Sequence, residues 1–197
     1  MIKPIQTYFI SFIYFYYNHY TQKRKDVCIV LESKRLLMVK PQLSHAKELY
    51  QIHSNEEATL YTPKRRHKAI TDTEQMLNTW KKYWDVNKYG YFIIIEKERN
   101  SVIGSGGGEK MKFAKKEYFN IYYRLNPEMT GYGYAYEAIE TIINWLNSEV
   151  DATLDFVIRT DRNNLPSIKL AQRLGFKRDT TFDSYIDDED IFFFKSL

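Results

Sequence analysis

Two glycines one residue apart stand where a strand-like segment gives way to a helix-like one. Gly131 and Gly133 follow the β-rich run 121–125 and precede apolar residues at helical spacing from Ala135 to Leu146. Glycine permits a tight turn and leaves the backbone N–H groups uncovered. Those groups then open a helix, where unpaired donors and the helix dipole both favour an anion. The segment therefore predicts a turn suited to a pyrophosphate.

Three glycine-loop chemistries compete for this segment, beside a plain strand–turn–helix connection. A Walker A loop needs a Gly-Lys-Ser/Thr end, which is absent. A dinucleotide fingerprint needs a small residue three positions past the second glycine, and Tyr136 stands there. The third pattern, Arg/Gln-x-x-Gly-x-Gly/Ala, is the acyl-coenzyme-A loop of the GNAT acetyltransferases, and the segment resembles it at Gly131 and Gly133. The wider stretch from Arg124 to Ala138 resembles the branch of ribosomal-protein N-terminal acetyltransferases.

A second segment resembles the other signature of that family, Asn-x-x-Ser followed by Leu-Gly-Phe. Asn164 and Ser167 match its spacing, and the run 174–176 closes it. Gly175 follows the last helical residue, as a C-terminal cap should. Capping of the helix by Asn164 is compatible with a contact to the cofactor. Two signatures in this order are more specific than either alone.

The resemblance, which covers about residues 31–197, implies an α+β (mixed α/β) GNAT fold. A central mixed, mostly antiparallel sheet would splay between its fourth and fifth strands, with helices flanking it and the thioester in the gap. Residues 122–125 would line one side, with a main-chain N–H near Leu125 polarising the carbonyl, and 156–159 the other. The cofactor-binding residues that it implies are Tyr123, Leu125, Gly131, Tyr132, Gly133, Tyr134, Ala135, Asn164 and Ser167.

Acyl transfer from a thioester to an amine needs a proton acceptor and a donor for the leaving sulfur. Many relatives place a donor Tyr where this chain has Ala171, so the resemblance leaves Ser167 as the donor. The usual position of the base carries Asn120, which cannot take a proton. Glu109, Glu117 or a water relay would substitute, or the acceptor needs little help. An α-amine, with a pKa of about 8, needs less help than a lysine near 10.4.

The sequence thus predicts an acetyl-CoA-dependent N-acetyltransferase acting on a primary amine. The acceptor would be a protein N-terminal α-amine, such as that of a ribosomal protein, or a small amine. Two alternatives stay open: an aminoglycoside, polyamine or amino acid acceptor, and a non-catalytic acyl-CoA-binding regulator. The basic run 64–68 is a solvated turn or a contact with a cofactor phosphate or a substrate carrier.

Composition narrows the class of protein only coarsely. The 197 residues are 44% hydrophobic and 16% aromatic, enough for one core and against global disorder. The single cysteine, Cys28, suits a reducing, cytoplasmic compartment. The four histidines show no metal-ligand spacing, so we expect no metal. The net charge of +4 fits an anionic cofactor, and scattered basic residues give no support to nucleic-acid binding.

Periodicity and turn residues predict the remaining elements. We expect strands over 31–40, 91–95, 102–104 and 190–197, a helix capped by Ser44 and a second helix from Thr73. The glycine-rich run 104–108 is interpreted as a strand end, a bulge or the floor of the site, because no helical pattern follows it. Residues 110–116 are interpreted as an exposed basic connection.

Residues 1–28 do not belong to the family pattern and are taken as an N-terminal extension to a domain spanning 29–197. The aromatic run 8–17 is about half the length of a membrane span, so no firm membrane association is expected. It lacks a convincing signal-peptide cleavage site. The extension could lie on a membrane surface, pack on the domain, mediate a homodimer or arise from a misplaced start site.

Overall fold

The computed structural model describes residues 30–113 and 115–197, which form an eight-stranded sheet flanked by helices. The predicted extension over 1–28 lies outside these residues. The strands are β1 (Val30–Glu32), β2 (Leu36–Val39), β3 (Tyr91–Glu96), β4 (Ser101–Phe113), β5 (Lys116–Leu125), β6 (Asp155–Asp161), β7 (Lys177–Arg178) and β8 (Asp190–Lys195). The helices are α1 (Ala46–His53), α2 (Ile70–Asn87), α3 (Tyr134–Trp145) and α4 (Leu165–Arg173).

The sheet is mostly antiparallel and has the order β1-β2-β3-β4-β5-β6-β8-β7. Its parallel pair, β5 and β6, is joined only where residues 118–120 meet 155–157. Beyond that point the two strands separate, so 121–125 and 158–161 face a gap. The short β1 is one strand more than the expected GNAT sheet has before the gap. Strands β5 and β6 therefore correspond to the fourth and fifth strands of that sheet. The predicted α+β fold with a splayed sheet is confirmed.

The alternation of side chains along β5 divides the sheet into two faces. Ile121 and Leu125 pack with Ile139 of α3 and Ala171 of α4, on what we call the α3 face. Tyr122, of opposite parity, packs with residues of α1 and α2 on the α1 face. Both faces are covered by helices, and the gap between β5 and β6 opens between them.

Three predicted elements have different bounds in the structure. The strand over 31–40 is a hairpin, because the N–H of Ser33 bonds the Leu36 carbonyl at 3.0 Å and turns the chain between β1 and β2. Ser44 lies in a 3₁₀ turn, and α1 begins at Ala46. Helix α2 begins at Ile70 rather than Thr73, because the Asp72 carboxylate accepts N–H bonds from Lys68 and Ala69.

Strands β4 and β5 form a longer hairpin than the sequence predicts. The glycine-rich run 104–108 lies within β4, paired with 121–125 of β5. The expected basic connection over 110–116 is wrong, because 110–113 complete β4 and Lys116 already pairs with Phe113. Among the described residues, no helix is long and apolar enough to cross a membrane.

Candidate active site

The turn between β5 and α3 is shaped by its two glycines. Gly131 and Gly133 have φ values of 84° and 79°, a left-handed conformation that costs other residues about 1–2 kcal/mol. Gly133 is the N-cap of α3, whose first intrahelical bond runs from Glu137 N–H to the Gly133 carbonyl. The N–H groups of residues 134–136 therefore lack intrahelical acceptors. A Cβ at Gly131 would meet nothing within 4 Å, so the turn faces open space.

An ion pair fixes this turn to the first hairpin. The Arg35 side chain donates from Nε to Glu137 Oε2 at 2.7 Å and from Nη1 to the Tyr132 carbonyl at 2.9 Å. The Glu137 carboxylate also accepts from the Arg35 N–H at 2.6 Å and the Ser33 hydroxyl at 2.8 Å. Burial opposes ionisation of Glu137, but these bonds and the Arg35 charge together lower its pKa. Glu137 therefore stays ionised and holds the turn in place.

Two arginines that the sequence analysis missed border the turn. The Arg173 guanidinium, from the end of α4, lies 4.3 Å from the Tyr136 ring centroid, and that of Arg35 lies 4.3 Å from the Tyr134 ring centroid. Both line a depression of about 400 Å³ together with Gly131, Tyr132, Gly133, Tyr136, Glu137 and Glu140. No local pattern marks Arg173, because only the packing of α4 beside α3 brings it here. Cations beside unpaired N–H groups suit a phosphate.

The backbone of β5 presents donors to the gap. The Asn126 N–H bonds the Ile103 carbonyl of β4 at 2.8 Å. Successive N–H groups of a strand point to opposite sides, so those of Leu125 and Tyr123 point away from β4. Strand β6 pairs with β5 only as far as Asn120, and it leaves these two donors facing the gap.

A pair of hydroxyl groups lies beside the same gap on the α3 face. Ser167 is 8% exposed, and its side chain forms a hydrogen bond with the Tyr123 side chain. Burial raises the pKa of Tyr123 and the bond to Ser167 offsets part of that rise, which leaves a pKa of about 12, so the phenol keeps its proton at neutral pH. Asn164 is the N-cap of α4 and accepts the Ser167 N–H at 3.2 Å, which holds Ser167 in place.

On the α1 face, Glu109 of β4 stands directly opposite Asn120 of β5. Burial raises the pKa of the Glu109 carboxyl, while a hydrogen bond from Tyr91 lowers it, and the net shift is upward. Glu117 is exposed and paired with Lys112, and its odd parity in β5 directs it to the α3 face. The structure therefore brings together Glu109 and Asn120 but not Glu117.

The site thus has an anion-binding turn, two backbone donors in a gap, a hydroxyl pair on one face and a carboxylate on the other. Such groups can hold a phosphorylated carrier, polarise a carbonyl, protonate a leaving group and accept a proton. The residues over 30–113 and 115–197 include no group of three or more His, Cys, Asp or Glu side chains placed to hold a metal ion.

The sequence matches the family described as "Acetyltransferase (GNAT) domain" over residues 35–177. The match covers most of the chain, which therefore belongs to the GNAT acetyltransferase family. No significant match to a curated protein sequence was found.

Solved structures of GNAT proteins share the fold at low sequence identity. An acetyltransferase from Agrobacterium tumefaciens is 18% identical, with a TM-score of 0.71 over 88% of this chain and 99% of that one. The ribosomal-protein-S5-alanine acetyltransferase from Vibrio fischeri is 20% identical, with a TM-score of 0.69 over 85% and 96%. The microcin C7 self-immunity acetyltransferase, solved with acetyl-CoA and AMP, is 20% identical, with a TM-score of 0.67 over 84% and 94%.

Proposed function

We propose that this protein transfers an acetyl group from acetyl-CoA to a primary amine, either a protein N-terminal α-amine, such as that of a ribosomal protein, or a small amine. The observation that carries the proposal is the left-handed glycine turn at the start of α3, beside the gap into which β5 directs two N–H groups. A cytoplasmic location, expected from the single cysteine, belongs to the same proposal.

The residues of the turn fit the pyrophosphate of acetyl-CoA. The N–H groups of Tyr134 and Ala135 have no intrahelical acceptor, and Arg173 adds a positive charge. A side chain at Gly131 or Gly133 would be strained at positive φ, and it would extend from Gly131 into the open space beside the turn and from Gly133 toward Arg35. When bound, acetyl-CoA supplies the activated acyl group as a thioester.

The protein's own groups then hold the reacting atoms. The N–H groups of Leu125 and Tyr123 are placed to hydrogen-bond an acyl oxygen in the gap, which favours the charge that develops there. Ser167 and Tyr123 form the proton-donating pair on the α3 face, where a departing sulfur needs a proton. Asn164 keeps Ser167 in position through the cap of α4.

Glu109 is proposed as the proton acceptor on the opposite face. Its raised pKa makes it a better base than an ordinary carboxylate, and Tyr91 keeps it oriented. Asn120, directly opposite, can hold the amine or a water by a hydrogen bond but cannot take its proton. A weak base suits an α-amine, which is partly neutral at pH 7, better than a lysine.

The proposal is tested by measuring thiol release from acetyl-CoA with short N-terminal peptides, Nα-blocked lysine, a polyamine and an aminoglycoside, and by mass spectrometry of the products. Acetylation of peptide α-amines or of a small amine is expected. Robust turnover of the blocked lysine, abolished by Asn120→Ala, would contradict the preference for an α-amine. Tight acetyl-CoA binding without release on any amine would indicate a non-catalytic acyl-CoA-binding regulator.

A further inference from the structure

A buried guanidinium on the α1 face has no part in the reaction described so far. Arg124 of β5 is 8% exposed and stands at even parity, on the same face as Asn120 and Tyr122. Its two terminal nitrogens contact His53 Nδ1 at 3.3 Å and Thr62 Oγ1 at 2.6 Å. Among the described residues, no carboxylate forms an ion pair with Arg124. This charge is therefore buried against neutral partners alone.

His53 does not supply the missing negative charge. Burial, the charge of Arg124 and the neighbouring His67 lower the pKa of His53 to about 2, so the imidazole is neutral at physiological pH. Its Nε2 atom is buried without a hydrogen-bond partner among the described residues. A buried charge that lacks an anion is costly to a folded protein. A ligand that brings an anion would relieve that cost.

A second arginine adds positive charge to the same region. Arg65, exposed in the loop between α1 and α2, follows Thr62, the residue that Arg124 contacts, by three positions, and its N–H bonds the Thr62 carbonyl at 2.9 Å. Among the described residues it forms no ion pair. Its neighbour Arg66 differs, because it is paired with Glu56. In the basic run 64–68, the charge of Arg65 is therefore not neutralised by a carboxylate of the described residues, whereas the charge of Arg66 is neutralised by Glu56.

Among the described residues, no carboxylate of this face is paired with Arg124. Asp161, which stands opposite Asp190 in the sheet, accepts the Asn163 N–H at 2.8 Å. Asp190 is paired with Arg159 at 3.3 Å. Glu109 stands opposite Asn120, four residues along β5 from Arg124, a separation of about 13 Å at the usual rise of a strand. The half-buried Tyr122 lies between them. The face thus has a base at one end and a guanidinium at the other.

We propose that the acceptor amine belongs to a molecule that also carries a carboxylate, which Arg124 binds directly and Arg65 attracts. This inference rests on the proposed acetyltransferase function and names its acceptor class. The two sources of this chemistry are a free amino acid and a polypeptide whose N-terminal residue is acidic. Cationic acceptors such as aminoglycosides and polyamines are disfavoured by the positive charges of Arg124 and Arg65, neither of which is paired with a carboxylate in the described part of the chain.

The experiment compares acceptor pairs in which a carboxamide of the same shape replaces one carboxylate. Asp-Ala-Ala-amide against Asn-Ala-Ala-amide tests a polypeptide N-terminus, and alanine against alaninamide tests a free amino acid. The kcat/KM of thiol release is referred to the concentration of neutral amine, obtained by titrating each acceptor. Calorimetric binding of each acceptor to the protein saturated with coenzyme A gives a readout that needs no turnover.

In at least one pair, the ratio of kcat/KM for the carboxylate acceptor to kcat/KM for its carboxamide should be about 10 or more, as expected for a charge-assisted hydrogen bond. The Arg124→Gln substitution should bring that ratio close to one, and Arg65→Gln should reduce it partly. Arg66→Gln, in the same loop but paired with Glu56, is the matched control and should leave the ratio unchanged. The pair that shows the preference identifies the source.

A wild-type ratio of one or less in both pairs would overturn the inference, even if Arg124→Gln failed to fold. The inference would also be overturned if a folded Arg124→Gln variant lost the same factor in kcat/KM with the carboxylate and the carboxamide acceptors, because Arg124 would then not recognise the carboxylate. Absence of thiol release with every acceptor, neutral ones included, would instead count against the proposed function. The two failures are therefore distinguishable.

Discussion

The side chains of Tyr123 and Ser167 are hydrogen-bonded beside the gap between β5 and β6. Tyr123 belongs to β5, whereas Ser167 belongs to α4, the helix that follows β6. The bond therefore connects the two sides of the gap at the place where the sheet's own hydrogen bonds end. Ser167 is buried and Tyr123 is half-buried, and both hydroxyl groups keep their protons at neutral pH, so either can supply one.

Ser167→Ala should lower turnover far more than the affinity for acetyl-CoA. Loss of a proton donor costs about 10²-fold or more in rate, whereas the glycine turn that holds the pyrophosphate is untouched. Tyr123→Phe should give a similar loss, and the double variant should lose less than the product of the two, because the groups act as a unit. Steady-state kinetics with calorimetry of acetyl-CoA binding checks this. Unchanged turnover in both single variants would remove the proposed role.

Glu109→Gln should lower kcat/KM, referred to the concentration of neutral amine, by about 10²-fold and abolish the acidic limb of the resulting pH profile. The ionised carboxylate is the active base, so activity rises with pH through the Glu109 pKa, which lies above its ordinary value of 4.5. Tyr91→Phe should move that limb to higher pH, because the Tyr91 hydrogen bond lowers the pKa. The matched control is Glu117→Gln, on the other face. A limb retained in Glu109→Gln would show that another group titrates.

Gly131→Val and Gly133→Val should weaken acetyl-CoA binding. Each forces a side chain into positive φ, so the turn must shift and displace its N–H groups, and loss of one or two charge-assisted bonds should raise Kd by about 10- to 100-fold. Gly90→Val is a matched control, because Gly90 has φ 155° and lies between α2 and β3, where a side chain would meet Tyr83 and Trp84 rather than the turn. All three variants should lose stability, but only the first two should lose affinity. Equal affinities would refute the pyrophosphate assignment.

Glu137→Gln should destabilise the fold by about 1–3 kcal/mol at pH 7 through its bonds with Arg35 and Ser33. Because folding lowers the Glu137 pKa, this stability is present above the ordinary value of 4.5 and is lost as pH falls through the lower value of the folded protein. Urea unfolding of both proteins across that range measures the difference. Glu56→Gln, which removes an exposed ion pair, should change little at any pH.

The elements that the sequence predicts correctly are those determined by residues close to one another in the chain. The glycine turn, α3 and α4 depend on capping residues and on apolar spacing within a dozen positions, and Gly175 ends α4 at φ 85° as expected. The hairpin over 30–39 and the extent of β4 were missed, because the ends of a strand depend on its partner. Lys110 and Lys112 look like an exposed connection by composition, yet both pair with β5.

The contacts between the residues of the site depend on residues far apart in the chain, so the sequence does not predict them. Ser167 and Asn120 were singled out from motif positions, and Glu109 as one substitute for the missing base. No spacing indicates that Tyr123 bonds Ser167 or that Tyr91 bonds Glu109. These partners are 44 and 18 residues apart in the chain, and only the register of the sheet and the packing of α4 bring them together. Arg124 is likewise unremarkable in sequence, because only the folded structure shows that it has no anionic partner within 30–113 and 115–197.

The most direct test of the proposed function is calorimetric titration of the purified full chain with acetyl-CoA, alongside desulfo-CoA as a non-reactive control. Both ligands share the pyrophosphate, so we expect 1:1 binding of each, weakened alike by Gly133→Val. If a chain shown to be folded binds neither ligand, the proposed function is wrong.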